Sequence, residues 1–204
     1  MSGVPAALGH QPVPVSVIVQ VCNGAAYIGE CLASLQGWAA QVLVVDLGSR
    51  DQSVALARSL ADQVLVRPLA PGADPGEVRN ESARFASQEW VLYLEANERV
   101  TVRLGEVLGL FLAELPAGIS AIQLPHKTVF LGQWLRHTGR WWPRYQHHLL
   151  RRQYYRWRPA GQGGGLVVNG LVARLPETDA EAALVRQLDL GVDQFLGRVR
   201  GQAR

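Results

Sequence analysis

Four short apolar runs, each closed by polar or turn-forming residues and separated by helix-compatible segments, constrain this chain more than any other feature. Residues 13–21 read VPVSVIVQV, a run rich in β-branched side chains of the kind that forms a strand buried on both faces. Residues 41–46 (QVLVVD), 63–67 and 90–94 (WVLYL) predict three further strands. Between them, 25–35 places Ile28, Leu32 and Leu35 on one helical face. Asp51 is expected to cap a second helix that turns Val54, Ala57, Leu60 and Ala61 inward, and a third helix is expected over 77–87. Strands and helices alternating at this spacing specify an α/β domain with a mainly parallel central sheet flanked by helices.

In such sheets ligands bind beyond the carboxyl ends of the strands. The polar residues fall at those ends: Asn23 after the first strand, Asp46 after the second, Glu95 and Asn97 after the fourth. Glu98 and Arg99 are expected to begin a solvated helix. The first strand is not followed by GxGxxG, and GxxxxGK[ST] is absent, which argues against a dinucleotide fingerprint and a P-loop.

Charge divides the chain. Between Glu114 and Glu177 there is no Asp or Glu, yet Lys127 and eight arginines lie there, interleaved with Trp134, Trp141, Trp142, Tyr145, Tyr154, Tyr155 and Trp157. Such a segment suits a sugar acceptor with anionic groups, an anionic membrane surface or a nucleic acid. No nucleic-acid-binding motif accompanies it, which disfavours the last. The expected organisation is a flexible N-terminus over 1–12, an α/β domain over 13–115, a basic, aromatic-rich subdomain over 116–176 and a C-terminal helix over 177–204. That helix rests on a capping box, Thr178 to Glu181, and on Leu184, Leu188, Phe195 and Val199 recurring at helical spacing. No apolar run reaches the roughly 18 residues of a membrane span. The opening residues do not read as a signal peptide, and Cys22 and Cys31 are expected to be buried packing residues. A reduced cytoplasmic protein, peripheral at the inner face of a membrane, is the expectation.

Val15-Ser16-Val17-Ile18-Val19 followed by Asn23, then Val44-Val45-Asp46-Leu47-Gly48-Ser49-Arg50-Asp51, Arg79-Asn80, and Trp90 through Val100 resemble the family 2 glycosyltransferases. The subgroup most similar is the bacterial lipopolysaccharide-core glucosyltransferases, which carry a later motif like 130–137 (FLGQWLRH) and Gly139 through Pro143. The resemblance implies a nucleotide-binding GT-A fold and transfer of a sugar from a nucleoside-diphosphate donor to a hydroxyl, with inversion. The acceptor it suggests is a surface glycan or lipid-linked saccharide of the cell envelope.

The resemblance also assigns places. Asp46 would contact the uracil or ribose, Asn23 would shape the loop after the first strand, and Arg79 would lie near the diphosphate. Glu95 and Asn97 would occupy the outer places of the family's Asp-x-Asp motif, which holds a divalent cation, Mn²⁺ or Mg²⁺. His137, Trp142, Arg151 and Arg152 are assigned to the acceptor side, where an anionic glycan or glycolipid would bind. The catalytic base is not identified. The motif here reads Glu-Ala-Asn, one formal charge short of the family's, and a family His-Glu pair falls on Gly163-Gly164-Gly165. These departures support an alternative: a catalytically inactive domain that binds nucleotide or glycan.

Overall fold

The run 13–21 forms β1 (Val13–Val21), and its alternation sorts the core into two halves. Val15, Val17, Val19 and Val21 are buried on one face, packed with Ile28 and Leu32 of α1 (Ile28–Ala33) and Leu104 and Leu108 of α4 (Val102–Ala113). Ile18 points to the other face, into a second cluster with Leu43 and Val45 of β2 (Ala39–Asp46) and Val91 and Tyr93 of β4 (Trp90–Glu95). A sheet covered on both sides needs such continuous apolar strands. The computed structural model describes residues 12–70, 72–136, 142–159, 165–176 and 179–188.

The remaining elements are α2 (Ser53–Leu60), β3 (Gln63–Val66), α3 (Pro75–Ser82) with a 3-10 turn at Ala83–Phe85, β5 (Glu98–Val100), β6 (Ile119–Phe130), β7 (Gln133–Trp134), β8 (Arg144–Arg151), β9 (Tyr155–Arg158), β10 (Gly165–Val168), β11 (Leu171–Arg174) and β12 (Leu184–Leu188). The main sheet runs β3-β2-β1-β4-β8-β6-β12-β5, with β7 and β11 also on β6. β1, β2, β3 and β4 are mutually parallel, and β6, β11 and β12 share that direction. β5, β7 and β8 run against it. The expected parallel α/β architecture is the one observed. β9 and β10 form a separate hairpin that lies against α3 and closes the second core cluster.

Three expectations change. The stretch 116–176 is not set beside the α/β domain: β6, β8 and β11 continue its sheet, because β8 pairs directly with β4. Glu98 and Arg99 do not start a helix. Glu98 and Val100 are buried and Arg99 between them is less so, the period of a strand, and the next helix starts only at Val102, capped by Thr101, whose hydroxyl accepts the Leu104 N–H at 3.1 Å. Residues 184–188 are not helical either. Leu184 and Leu188 are four apart, a spacing that fits one helical face and one strand face equally; the edges of β6 and β5 decide, since each supplies a row of backbone partners. The rest of the 177–204 expectation beyond Leu188, the N-terminal residues up to 11, and His137 lie outside the described residues.

Candidate active site

A cleft of about 540 Å³ opens at the carboxyl ends of β1 and β4, lined by Gln20, Asn23, Arg79, Glu95, Asn97 and Arg186 among others. Two loops close one side of it. Asn23 takes a left-handed conformation (φ 53°), its Oδ1 accepts the Arg50 N–H at 2.8 Å, and its own N–H donates to Ser49 Oγ at 2.9 Å. The Gly24 N–H donates to Ser53 Oγ at 2.9 Å and the Ala25 N–H to Asp51 Oδ2 at 3.0 Å. Asn23 thus shapes the loop after β1 by tying it to the loop after β2. Asp51 is not the N-cap of α2, which is Gln52, but stands one residue before it: it accepts the Ser53 N–H and hydroxyl and an amide from the neighbouring loop, and these bonds hold its carboxyl below the usual range.

Asp46 stands at the end of β2 but turns into its own loop. Its carboxylate accepts the Gly48 and Ser49 N–H groups, both at 3.1 Å, and is 1 % exposed. Leu47, next to it, lines the cleft.

Arg79 reaches the cleft from α3, which begins with Asp74 accepting the Gly76 N–H and Pro75 in the first turn. Its Nε donates to Gln20 Oε1 at 2.8 Å, and its guanidinium lies 4.5 Å from the centroid of the Trp157 ring. Asn80 exchanges two hydrogen bonds with the Trp157 backbone. Tyr93 Oη donates to the Arg79 carbonyl at 2.8 Å and lies 2.8 Å from Tyr155 Oη. Burial raises both phenols, Tyr155 to about 12, so they stay neutral hydrogen-bonding groups. Trp157 and Tyr155 are therefore occupied inside the fold, holding α3, and are not platforms for a ligand.

At the far wall, Glu95, Asn97 and Glu98 share one turn. Glu98 is fully buried; its Oε2 accepts the Glu95 N–H at 2.9 Å and its Oε1 accepts Arg186 Nε at 2.9 Å. Arg186 also lies 3.2 Å from Glu95 Oε2, on a side chain that is 51 % exposed. The Asn97 amide donates to the Gln187 carbonyl at 2.9 Å, and the Gln187 N–H donates back to the Asn97 carbonyl at 2.9 Å. Asn97 Oδ1 is left buried without a hydrogen-bond partner, as is Gln20 Nε2. Among the described residues no three of His, Cys, Asp and Glu converge on one point. Glu95 and Asn97 nevertheless offer two hard oxygens, one of them orphaned, a donor set that fits a hard cation completed by ligand oxygens and water.

The structure separates the acceptor-side residues. β8 runs antiparallel to β4, so its last residue, Arg151, returns to Trp90 at the start of β4 and lies over that ring at 5.1 Å. Arg152 bonds the Glu89 and Ala86 carbonyls there. Both sit at the edge opposite the cleft and cannot line it. Trp142, just before β8, is stacked edge-to-face on Trp134 with centroids 5.2 Å apart. Lys127 and Arg136 lie 4.7 and 5.1 Å from the Trp134 centroid. Of the cysteines, Cys31 is buried and Cys22 is exposed, lining the cleft.

The sequence pattern of Glycosyl transferase family 2 matches residues 16–169. The chain belongs to glycosyltransferase family 2. Over 104 residues it is 33 % identical to the lipopolysaccharide core biosynthesis glycosyltransferase LpsC of Rhizobium meliloti, covering 49 % of this chain and 37 % of that protein. Over 93 residues it is 31 % identical to a TPR repeat-containing protein of Synechococcus elongatus, covering 46 % of this chain and 23 % of that one. The chain thus spans less than half the length of these relatives. Among solved structures it resembles S. aureus TarS in complex with UDP-GlcNAc (TM-score 0.61, 18 % identity, 87 % of this chain and 59 % of that one). It also resembles glucosyl-3-phosphoglycerate synthase of Mycobacterium tuberculosis with Mn²⁺, UDP and glucosyl-3-phosphoglycerate (TM-score 0.55, 15 % identity, 91 % and 76 %). At those identities the likeness is one of fold, and the fold is GT-A.

Two residues lining the cleft escaped sequence reasoning. Gln20 carries a signal, a lone polar side chain inside an apolar run. Arg186 carries none, because its segment reads as a helix until β5 and β6 are known.

Proposed function

We propose that the chain transfers a sugar from a nucleoside-diphosphate donor to a hydroxyl of a surface glycan or lipid-linked saccharide, with inversion. The observation that carries this reading is the cleft at the carboxyl ends of β1 and β4, where Arg79, Gln20, Glu95 and Asn97 converge. The loop organised by Asn23 and Asp46 would bound the nucleoside, and Arg79, steadied by Gln20 and Trp157, would meet the diphosphate. A divalent cation would be held by Glu95 and Asn97, and when bound it would neutralise the departing diphosphate. The solved relative with Mn²⁺ and UDP supports that expectation. Glu98 is unsuited to act as base, since both its oxygens are engaged in the interior. Lys127 is buried and paired with Glu181 at 2.9 Å, so on the acceptor side Trp142 and Trp134 with the exposed Arg136 would offer flat apolar surface and positive charge. That suits an anionic glycan or glycolipid at a membrane surface. No described helix is long and apolar enough to cross a membrane.

A second reading, binding without turnover, has one observation in its favour. Among the described residues the acid lining the cleft is Glu95, and it is paired with Arg186. Calorimetric titration with UDP, GDP and dTDP, followed by release of nucleoside diphosphate from the matching sugar donors, separates the two. Binding with donor hydrolysis or transfer supports an enzyme; binding without either supports the inactive domain. No binding of any of the three rejects both.

A further inference from the structure

β12 brings to the cleft a charge that exchangeable ions supply elsewhere. Arg186 pairs in register with Glu98 of β5 on one side and Thr128 of β6 on the other, so the three side chains stand on one face of the sheet. Its inner contact is anchored: Glu98 is fully buried and fixed from two sides, by Arg186 Nε and the Glu95 N–H. Its outer contact, Glu95, is half exposed on a rotatable side chain and free to be exchanged for another anion. Across β6, burial and, second to it, the charge of Arg186 hold the Arg144 guanidinium below the usual arginine range. Within the cleft itself, Arg79 adds a second guanidinium on the opposite wall. Cations gathered around one cleft favour a polyanion.

We propose that Arg186 is the resident cation of the donor site: it exchanges Glu95 for the diphosphate of the nucleotide, so that binding of the nucleotide, as distinct from turnover, does not depend on the divalent ion that Glu95 and Asn97 would hold. The proposal rests on the nucleotide-sugar reading above. Where the motif Glu95-Ala96-Asn97 has one carboxylate fewer to hold an ion, a guanidinium supplies the missing positive charge permanently. Its planar fork also matches two phosphate oxygens at once, which a lysine cannot do.

The test titrates UDP, GDP and dTDP into the protein in EDTA and again in MnCl₂, with wild type, Arg186→Gln and Arg186→Lys. For whichever nucleotide binds, wild-type affinity should differ less than about threefold between the two buffers. Arg186→Gln should lose about tenfold or more in EDTA, the scale of one charge-assisted contact, and Arg186→Lys should lie between. Removing Arg186 leaves Glu98 buried and unpaired, so Glu98→Gln/Arg186→Gln is measured as the folded control, with thermal unfolding checked for each variant. Wild-type binding that collapses in EDTA overturns the proposal, and so does unchanged affinity in the neutral variants; in both cases the nucleotide reading stands. Absence of binding in both buffers rejects the nucleotide reading itself, and this proposal with it.

Discussion

Asn80 and Trp157 exchange two hydrogen bonds: the Asn80 amide donates to the Trp157 carbonyl at 2.8 Å, and its Oδ1 accepts the Trp157 N–H at 2.9 Å. A side chain here takes the part of a neighbouring strand and fastens the β9–β10 hairpin to α3. The Trp157 ring is thereby fixed beneath the Arg79 guanidinium. Packing and site are coupled through one amide.

Asn80→Ala should therefore act on both. Loss of two partly buried hydrogen bonds costs about 1–3 kcal/mol of stability. Nucleotide affinity should also fall, because Arg79 loses the ring that positions it. Thermal unfolding and titration of the bound nucleoside diphosphate measure the two effects, and a stability loss with no change in affinity would uncouple them.

Asp46→Ala should destabilise first and weaken binding second. The carboxylate is committed to the Gly48 and Ser49 amides, and removing it costs about 1.5–3 kcal/mol for hydrogen bonds to a charged group. Asp46→Asn, which keeps an acceptor oxygen, should recover part of that loss. Denaturant unfolding of both variants checks the order.

Gly24→Ala should crowd the cleft. A Cβ there would meet Val21 Cγ2 at 2.8 Å and Ala96 Cβ at 3.1 Å, pressing the β1 loop away from the Glu95–Asn97 turn. Overpacking of this kind costs about 1–3 kcal/mol, readable in urea unfolding.

Arg151→Gln and Arg152→Gln should leave nucleotide affinity within error, because both arginines sit at the edge opposite the cleft. Arg136→Gln with Trp142→Ala should instead lower binding to vesicles containing anionic lipid, and the wild-type binding should weaken with salt. Equal effects of the two pairs would contradict the placement of the acceptor side.

Acid should loosen the two-loop wall of the cleft. Asp51 has its folded-state pKa lowered from 3.8, chiefly by the Ser53 hydroxyl and then by the Ala25 and Ser53 amides. A depressed carboxyl contributes stability that is present above its unfolded value and is lost as pH falls through the folded one. Wild type should therefore lose stability below about pH 4, the ordinary carboxylate value, and Asp51→Asn should show a flatter profile there. Melting temperatures across that range, at constant ionic strength, decide it.

The first half of the fold was legible because its code is local. Val15 to Val21 alternate with Ile18 to sort two cores, and Asn23, Asp46, Glu95 and Asn97 fall at strand ends by topology alone. What failed depends on distant pairing. Glu98 looks like a charged helix start until Arg186 arrives to bury it, and Leu184 and Leu188 satisfy two periods until β5 and β6 choose one. Arg151 and Arg152 carry the right chemistry at the wrong edge, because the direction of β8 is written in no short motif. Trp157 looks like a ligand platform; only the fold shows that Arg79 already covers it.

The clasp between Asn97 and Gln187 joins residues 90 positions apart in the chain. Loop closure over such a separation comes late in folding. On the ribosome, β1 to β4 are made first, but the turn that carries Glu95 and Asn97 stays unset until β12 has been synthesised and docked. The cleft is completed only by β12, the last described strand, so a chain truncated before Leu184 would keep the strands of much of its sheet and still lack Arg186 and the partner of Asn97.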